Sequence, residues 1–188
     1  MELIELKMET LIRLVKQIDL ESERLILRSF RISDASRIKE LAGNPNVSKT
    51  TRSIPYPYEN GMAESWIEST KELTDSGKSL IYAIELKNEQ TLVGSVGLID
   101  IVNSEAVLGF WIGEDYWGMG YCTEAVKSVF NYYFYSLGLK KITAEHLTYN
   151  VASGQVMKKS GMSHVGSVKK ECRVGEVGDI EMYEIIHT

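Results

Sequence analysis

The chain has little cysteine, little proline and no long apolar run. Its 188 residues include two cysteines and three prolines. Cys122 and Cys172 fit a reduced protein better than a disulfide scaffold, and neither has a second Cys or His at metal-ligand spacing, so no metal site is predicted. No stretch approaches the roughly 18 apolar residues of a membrane helix. The N-terminal 20 residues lack the apolar core of a signal peptide, so no membrane association and a cytoplasmic location are expected.

Positive charge is also in short supply. The chain has 21 Lys and Arg against 26 Asp and Glu, which gives a formal net charge of −5. Nucleic-acid binding depends on clustered Lys and Arg, so no nucleic-acid partner is expected. An acidic chain is compatible with a cationic small molecule or a basic polypeptide as its partner.

The length and composition predict one globular domain over 21–188, preceded by an N-terminal extension over 1–20. The 44% of hydrophobic residues is enough for a core, and no low-complexity tract suggests a linker. The extension is predicted to form an amphipathic helix over 3–18, which either packs on its own domain or contributes to a homodimer contact. Its apolar residues recur at helical spacing: Ile4, Met8, Leu11, Ile12, Val15 and Ile18.

Hydrophobic periodicity in the first part of the domain predicts one strand and two helices. The stretch ERLILRSF alternates like a strand. Ser33 is a candidate N-cap for a helix that ends at Ala42. The segment 44–61 is predicted as a loop because its prolines withhold backbone donors and Gly61 relaxes the chain. A second helix ends near Gly77, and its predicted inner face consists of Met62, Trp66, Ile67 and Leu73.

The remainder predicts a three-stranded meander followed by alternating helices and strands. Three strand-like runs over 79–86, 91–102 and 105–112 are joined by short turns, so antiparallel pairing is expected. A helix with an apolar stripe follows and is closed by Gly138. A strand, a short helix and a terminal hairpin complete the chain. The pattern predicts an α+β or α/β fold with a single sheet and helices on its faces.

Two glycines one residue apart, Gly118 and Gly120, stand between the meander and the next helix in GFWIGEDYWGMGYCTEAVKSVF. A helix N-terminus presents unpaired N–H groups and a partial positive charge, which attract anions. Glycines let the preceding loop direct its amides at one phosphate group. The third glycine of a dinucleotide fingerprint is Thr123 here, and the lysine motif of a P-loop is absent. A bare G-x-G also fits a tight connection that binds nothing.

The order and spacing of the motifs around this turn are more specific than the turn itself. The run GFWIGEDYWGMGYCTEAVKSVFNYYFYSLGLKKI, followed by NVASGQVMKKSGM, closely resembles the GNAT acyltransferases, in particular their ribosomal-protein-alanine acetyltransferase branch. The resemblance extends from ERLILRSF at Glu23 to the end of the chain and includes SIPYPY at Ser53–Tyr58. It implies a mixed, mostly antiparallel sheet that is splayed at its centre and has helices on both faces.

By this resemblance the protein is an acetyl-CoA-dependent N-acetyltransferase. Main-chain amides at the splayed strand would receive the pantetheine arm and polarise the thioester carbonyl, and Asn150 would bind the same arm. Relatives often carry Gln or Arg three residues before the first glycine, and Asp115 at that position removes one side-chain contact but not the amides. The residues implied in CoA binding are Phe110, Trp111 and Ile112 on the strand and Trp117, Gly118, Met119, Gly120, Tyr121 and Cys122 in the turn.

The resemblance does not identify the groups that transfer protons as clearly as it identifies the CoA-binding residues. Many relatives carry a glutamate on the strand before the turn, where this chain has Val107. Glu105 lies two residues earlier on the same face and is the candidate general base, acting through a water. Glu145 and His146 are alternatives, of which at most one is expected to point into the cleft.

A serine at the position of Ser153 is typical of the ribosomal-protein branch and makes it the candidate acid for the leaving thiolate. The pair Asn150 and Ser153 also fits simple N-capping of a helix. Neither cysteine is placed where a covalent acetyl-enzyme is needed. Direct attack in a ternary complex is therefore predicted.

The acceptor is implied only by the resemblance, which places the loop 44–61 and the helix after it around the acceptor cleft. Aromatic side chains there could stack on an acceptor or cover a cationic amine, although Trp66 also fits the core. The leading acceptor is the N-terminal amine of a protein. A small amine, such as a polyamine, an aminoglycoside or an amino-acid analogue, and a CoA-binding module without turnover are the alternatives. The implied acceptor residues are Ser53, Tyr56, Tyr58 and Trp66.

Overall fold

A computed structural model describes residues 17–173 and 176–187, except for the side chains of residues 135–137. The predicted helix over 3–18 lies outside the described residues, apart from its last two positions, as does the choice between core packing and a dimer contact. The strands are β1 (Leu20–Glu21), β2 (Leu25–Arg28), β3 (Leu80–Leu86), β4 (Thr91–Val102), β5 (Glu105–Ile112), β6 (Lys141–Leu147), β7 (Ser163–Arg173) and β8 (Glu176–Ile186), and the helices are α1 (Ala35–Ala42), α2 (Pro45–Thr50), α3 (Met62–Asp75), α4 (Tyr121–Leu137) and α5 (Val151–Lys159).

The eight strands form one sheet in the order β1-β2-β3-β4-β5-β6-β8-β7. Strands β1 to β5 pair antiparallel in sequence order, as do β6 with β8 and β8 with β7. At the β4–β5 turn, Asn103 and Ser104 have φ values of 51° and 65°. Positive φ at both central residues is what a two-residue hairpin needs to match the twist of its strands. The meander and the terminal hairpin expected from the sequence are confirmed.

The sheet opens between β5 and β6, which is its one parallel pair within the described residues. Pairing joins Glu105–Val107 to Lys141–Thr143 and then stops, although both strands continue. In the second half of β5, the backbone N–H and C=O groups that point toward β6 therefore have no partner strand. The splayed, mixed and mostly antiparallel sheet implied by the resemblance is confirmed.

Helices cover both faces of the sheet. Successive residues of β3 show this directly, because Tyr82 and Ile84 pack with α4 and α5, whereas Ala83 packs with α1 and α3. The C-terminal end of α4 is closed by Gly138 in the left-handed conformation, as expected from the sequence. Among the described helices, none is both long and apolar enough to cross a membrane.

The inner face of α3 differs from its prediction. Ile67 is buried as expected, but Met62 and Leu73, also expected inside, are 37% and 39% exposed, and Ala63 and Thr70 are buried instead. The prediction gave weight to the largest apolar side chains. The face of the helix that packs against α1 in the core instead contains small residues.

Part of the segment predicted as a loop is helical. Asn44 caps α2, because its side-chain oxygen accepts a hydrogen bond from the Asn46 backbone N–H at 2.8 Å. Pro45 occupies the first helical position, where a missing N–H costs nothing. The loop prediction was therefore wrong for Pro45–Thr50. Ser33 is not an N-cap either, since it lies inside a 3-10 turn over Ile32–Asp34 that leads into α1.

A buried ion cluster fastens β2 and β3 to the turn before α1. The guanidinium of Arg28 donates to Glu85 at 2.7 Å and to both carboxylate oxygens of Asp34 at 2.8 and 2.9 Å. Burial pushes the pKa of Asp34 upward, but the hydrogen bonds from Arg28 and from the Arg31 backbone N–H outweigh it, so this pKa lies below its ordinary value. Removing one partner leaves a buried charge without compensation.

We expect Arg28→Met to lower the free energy of unfolding by about 3 kcal/mol, because two buried carboxylates lose their counter-ion. Urea denaturation measures the loss. Lys87→Met is the matched control, since Lys87 pairs with Glu21 at 2.9 Å on the surface and its loss should cost less than about 1 kcal/mol. Equal losses in the two variants would show that the buried cluster contributes no more than a surface pair.

Candidate active site

The glycine turn joins the end of β5 to the start of α4. Gly118 and Gly120 have φ values of 75° and 81°, in the left-handed region that glycine adopts without strain. A Cβ built on Gly118 would meet nothing within 4 Å, so the turn is open on that side. The indole N–H of Trp117 donates to the carbonyl of Ile112 at 2.7 Å and ties the turn to β5. The turn is thus held in place while its amides and those of the first turn of α4 remain accessible.

A cavity of about 560 Å³, here the glycine-turn cavity, extends from this turn to the start of α5. Cys122 lies on its wall, and burial raises the pKa of that thiol, which keeps it protonated and a poor nucleophile. The cavity walls come from the ends of β5 and α2, from the glycine turn with the start of α4, and from α5.

A second cavity of about 670 Å³, here the strand cavity, opens on β4, β5 and β6. Trp66 of α3 closes part of it and packs edge-on against Phe30, with ring centroids 4.8 Å apart. Other wall residues come from the segment after α2 and from β7.

The two cavities share part of their walls in the middle of the splayed sheet. Five residues border both, and they come from the end of α2, from β5 and from the start of α5. We call this set the junction. A ligand in one cavity can therefore meet a ligand in the other at the junction, which consists of Thr50, Thr51, Phe110, Trp111 and Ser153.

Asn150 orients Ser153 at the junction. The Asn150 side-chain amide donates to Ser153 Oγ at 2.8 Å and to the Thr50 carbonyl at 2.9 Å, and its oxygen accepts from the Ser153 backbone N–H at 3.3 Å. Both amide hydrogens of Asn150 are thus used within the protein. Ser153 Oγ receives a hydrogen bond, while its own hydrogen has no acceptor among the described residues, so the hydroxyl is free to donate to a bound group.

The adjacent residues Glu145 and His146 both border the strand cavity. A position on the wall does not by itself mean that a side chain points inward, so the expectation that at most one of them faces the cleft stays a prediction. The Glu145 carboxylate accepts from Arg52 at 2.8 Å and from Lys170 at 2.5 Å. His146 Nδ1 donates to the Leu147 carbonyl at 2.8 Å, and its buried Nε2 has no partner among the described residues.

The family follows from comparison with known proteins. A model described as an acetyltransferase (GNAT) domain matches residues 24–163, about three quarters of the chain. The chain belongs to the GNAT acetyltransferase family. It is therefore an acyl-CoA-dependent N-acetyltransferase, and the GNAT resemblance seen in the sequence is confirmed.

Known GNAT proteins resemble the chain over most of its length. It is 27% identical over 170 residues to the uncharacterized N-acetyltransferase p20 of Bacillus licheniformis, covering 89% of this chain and 95% of that relative. The microcin C7 self-immunity acetyltransferase MccE, solved with acetyl-CoA and AMP, has the same fold at a TM-score of 0.81 and 22% identity, over 88% and 94% of the two chains. The ribosomal L7/L12 alpha-N-protein acetyltransferase RimL, solved with coenzyme A, matches at 0.81 and 20%, over 90% and 98%.

The residues predicted to bind CoA in this GNAT chain lie together with one exception. Met119 is not on the cavity wall, and its carbonyl accepts a hydrogen bond from Arg24 at 2.9 Å. The side chain of Asn150 borders the cavity, but its hydrogen-bond donors are already used. The residues on the wall of the glycine-turn cavity are Phe110, Trp111, Ile112, Trp117, Gly118, Gly120, Tyr121, Cys122 and Asn150.

The predicted acceptor and catalytic residues are brought together only in part. Ser53 and Trp66 border the strand cavity, and Ser153 borders both cavities. Tyr56 is 60% exposed and is on neither wall. Tyr58 packs with α1 and α3, and burial followed by the charge of Glu64 raises its pKa.

Glu105, the predicted base, lies exposed at the start of β5 and borders neither cavity. Its position leaves no direct contact with an amine in the strand cavity. The role of Glu105 as a base that acts through water stays a prediction.

Arg173 shapes the junction, although sequence reasoning missed it. Its guanidinium donates to the Thr51 carbonyl at 2.8 Å and also to the Ser48 carbonyl, which fixes the end of α2 above the junction. Arg173 and Thr51 are 122 positions apart in the chain. No local pattern marks such a contact, because it exists only once β7 has joined the sheet.

Proposed function

We propose that the protein transfers the acetyl group of acetyl-CoA to the N-terminal amine of a protein by direct attack within a ternary complex. The observation that carries this proposal is the junction. The glycine-turn cavity, which we assign to the acetyl donor, and the strand cavity, which we assign to the acceptor, meet there beside a serine hydroxyl whose hydrogen has no acceptor among the described residues. Holding thioester and amine at that point would supply most of the rate, because positioning alone can remove a large part of the barrier.

The donor side fits CoA in two respects. The glycine turn offers main-chain amides at a helix N-terminus, which suits a diphosphate. The unpaired half of β5 offers further amides, to which a pantetheine arm can add as an extra strand would. An amide near Phe110 to Ile112 would then donate to the thioester carbonyl and stabilise the oxyanion. The orientation of Ser153 suits a hydrogen bond to the departing thiolate.

The choice of a protein N-terminal amine as the acceptor rests on similarity to proteins of known activity. The fold of the chain matches RimL, whose name states that it acetylates a protein alpha-amine. An α-amine has a reference pKa of about 7.7–8.0, so a useful fraction is neutral and able to attack near neutral pH. A lysine side chain, with a reference pKa of about 10.4, would need more help. We therefore favour an N-terminal amine over a lysine.

A panel of amines tests the acceptor. We expect peptides with a free N-terminus to accelerate CoA-thiol release from acetyl-CoA at least tenfold over background, a gain of about 1.4 kcal/mol. The same peptides with an acetylated N-terminus are the matched control and should give no acceleration. Faster turnover of a polyamine, an aminoglycoside or an amino-acid analogue than of any peptide would transfer the proposal to a small-amine acceptor.

Ser153→Ala tests the acid. We expect kcat to fall at least roughly tenfold with little change in the Kd of acetyl-CoA, because the hydroxyl acts on the leaving thiolate rather than on the bound thioester. Steady-state kinetics and calorimetry give the two values. Lys158→Ala on the same helix, outside both cavity walls, should match the wild type. Weaker binding with unchanged kcat would contradict the acid role.

Glu105→Gln tests the base. We expect kcat to fall about 100-fold at neutral pH if Glu105 accepts the amine proton through water, with acetyl-CoA affinity unchanged. The parallel variants are Glu145→Gln and His146→Gln, which replace the two alternatives on the cavity wall. An unaltered kcat in Glu105→Gln together with a large loss in either of the others would move the role to that residue.

A further inference from the structure

Arg24 lies in the bend directly before β2 and reaches across to the glycine turn. Its Nη1 donates to the carbonyl of Met119 at 2.9 Å, and its Nε donates to Glu124 Oε2 at 2.7 Å. The guanidinium also lies 4.5 Å from the centroid of the Tyr121 ring. Its contacts thus span the turn and the first turn of α4. Arg24 itself is not on the wall of the glycine-turn cavity, although Tyr121 is.

The contact with Met119 fixes the direction of one peptide group. In a trans peptide, the C=O and the N–H point in opposite directions. Arg24 binds the Met119 carbonyl, so the N–H of Gly120 in the same peptide is directed away from Arg24, a direction we call inward. Gly120 borders the glycine-turn cavity, whereas Met119 does not.

Glycine makes this peptide easy to rotate. Reversing the peptide changes ψ of Met119 and φ of Gly120, and glycine tolerates positive and negative φ about equally. The backbone alone therefore gives little preference for the inward N–H. A charged side chain bound to the carbonyl supplies that preference.

Arg24 also compensates a charge that an anion would meet. Glu124 lies in the first turn of α4. Burial raises the pKa of Glu124. Hydrogen bonds from the Arg24 backbone N–H and the Ser22 hydroxyl, together with the Arg24 guanidinium, lower it by more, so the pKa lies below its ordinary value. The carboxylate is ionised at neutral pH. Without its counter-ion it would repel a diphosphate at the same helix end.

We infer that Arg24 is a positioning residue for the CoA diphosphate: it directs the Gly120 N–H toward the glycine-turn cavity and neutralises Glu124 beside it. The inference rests on the proposed use of the glycine turn for CoA. It assigns Arg24 no contact with the thioester, the amine or the pantetheine arm.

Three ligands that differ in their phosphate groups test it by calorimetry. We expect Arg24→Gln to weaken CoA and dephospho-CoA by the same factor, about tenfold, the size of one lost charge-assisted hydrogen bond. Both ligands carry the diphosphate. Pantetheine, which lacks it, should compete for the site equally well in variant and wild type. Lys87→Gln, another surface cation without contact to the turn, is the matched control and should change none of the three.

The outcomes separate this inference from the proposed function. Equal loss of affinity for all three ligands would mean that Arg24 has a general structural role. Loss of affinity for CoA alone would mean that it contacts the 3′-phosphate, and unchanged affinities would mean that it has no role. Each of these results would overturn the inference. If the wild type binds CoA no better than pantetheine, the diphosphate site itself is wrong. If Arg24→Gln fails to fold, Arg24→Lys takes its place. Lysine keeps the positive charge, but it lacks the planar guanidinium that bonds the Met119 carbonyl and Glu124 at the same time.

Discussion

The divergence of β5 from β6 is the constraint on which the rest of the structure depends. Three residue pairs hold the two strands together at one end, and beyond Val107 and Thr143 the strands separate. A gap inside a sheet leaves backbone groups without partners, which is costly unless water or a ligand satisfies them. Both cavities open at that gap, and the junction lies in it. The chain thus keeps an incomplete sheet where a substrate with its own amides could complete it.

Polar contacts of long sequence separation hold the walls of this gap. Asn150 binds the Thr50 carbonyl, Arg173 binds the Thr51 carbonyl, and Arg24 binds the Met119 carbonyl. In each case a side-chain donor fixes a main-chain carbonyl at the end of a short helix or in the segment beside a helix end. Such segments have few intrinsic preferences, so their shape depends on these donors. Substitution of any of the three would act on the site through backbone position.

Much of the fold could be predicted from the sequence, because it depends on local periodicity and turn chemistry. The meander, the helix closed by Gly138 and the terminal hairpin all carry such signals. The loop predicted over 44–61 missed α2, because Asn-Pro fits both a turn and a capped helix start. The inner face of α3 was misassigned because side-chain size, rather than the space beside α1, decided the prediction.

The position of the candidate site was easier to predict than the roles of its side chains. The glycine turn is visible as a contiguous motif, the splayed strand was implied by the family resemblance, and the residues expected around them, except Met119, border one cavity. The side-chain roles were less accessible, because they depend on contacts between distant parts of the chain. Glu105 shares a strand face with Val107, yet it lies outside both cavities. Strand alternation predicts on which face of the sheet a side chain lies, but not how far along the strand the cavity extends.

The segment at Thr50 and Thr51 borders both cavities and is tethered on each side, by Asn150 and by Arg173. A ligand that displaced Thr50 or Thr51 from one cavity would change the wall offered to a ligand in the other. Any such linkage is reciprocal, because the factor by which the first ligand alters the affinity of the second equals the factor in the opposite direction. Thr50 and Thr51 thus give two ligands bound at the same time a common wall, through which each would change the affinity of the other by the same factor.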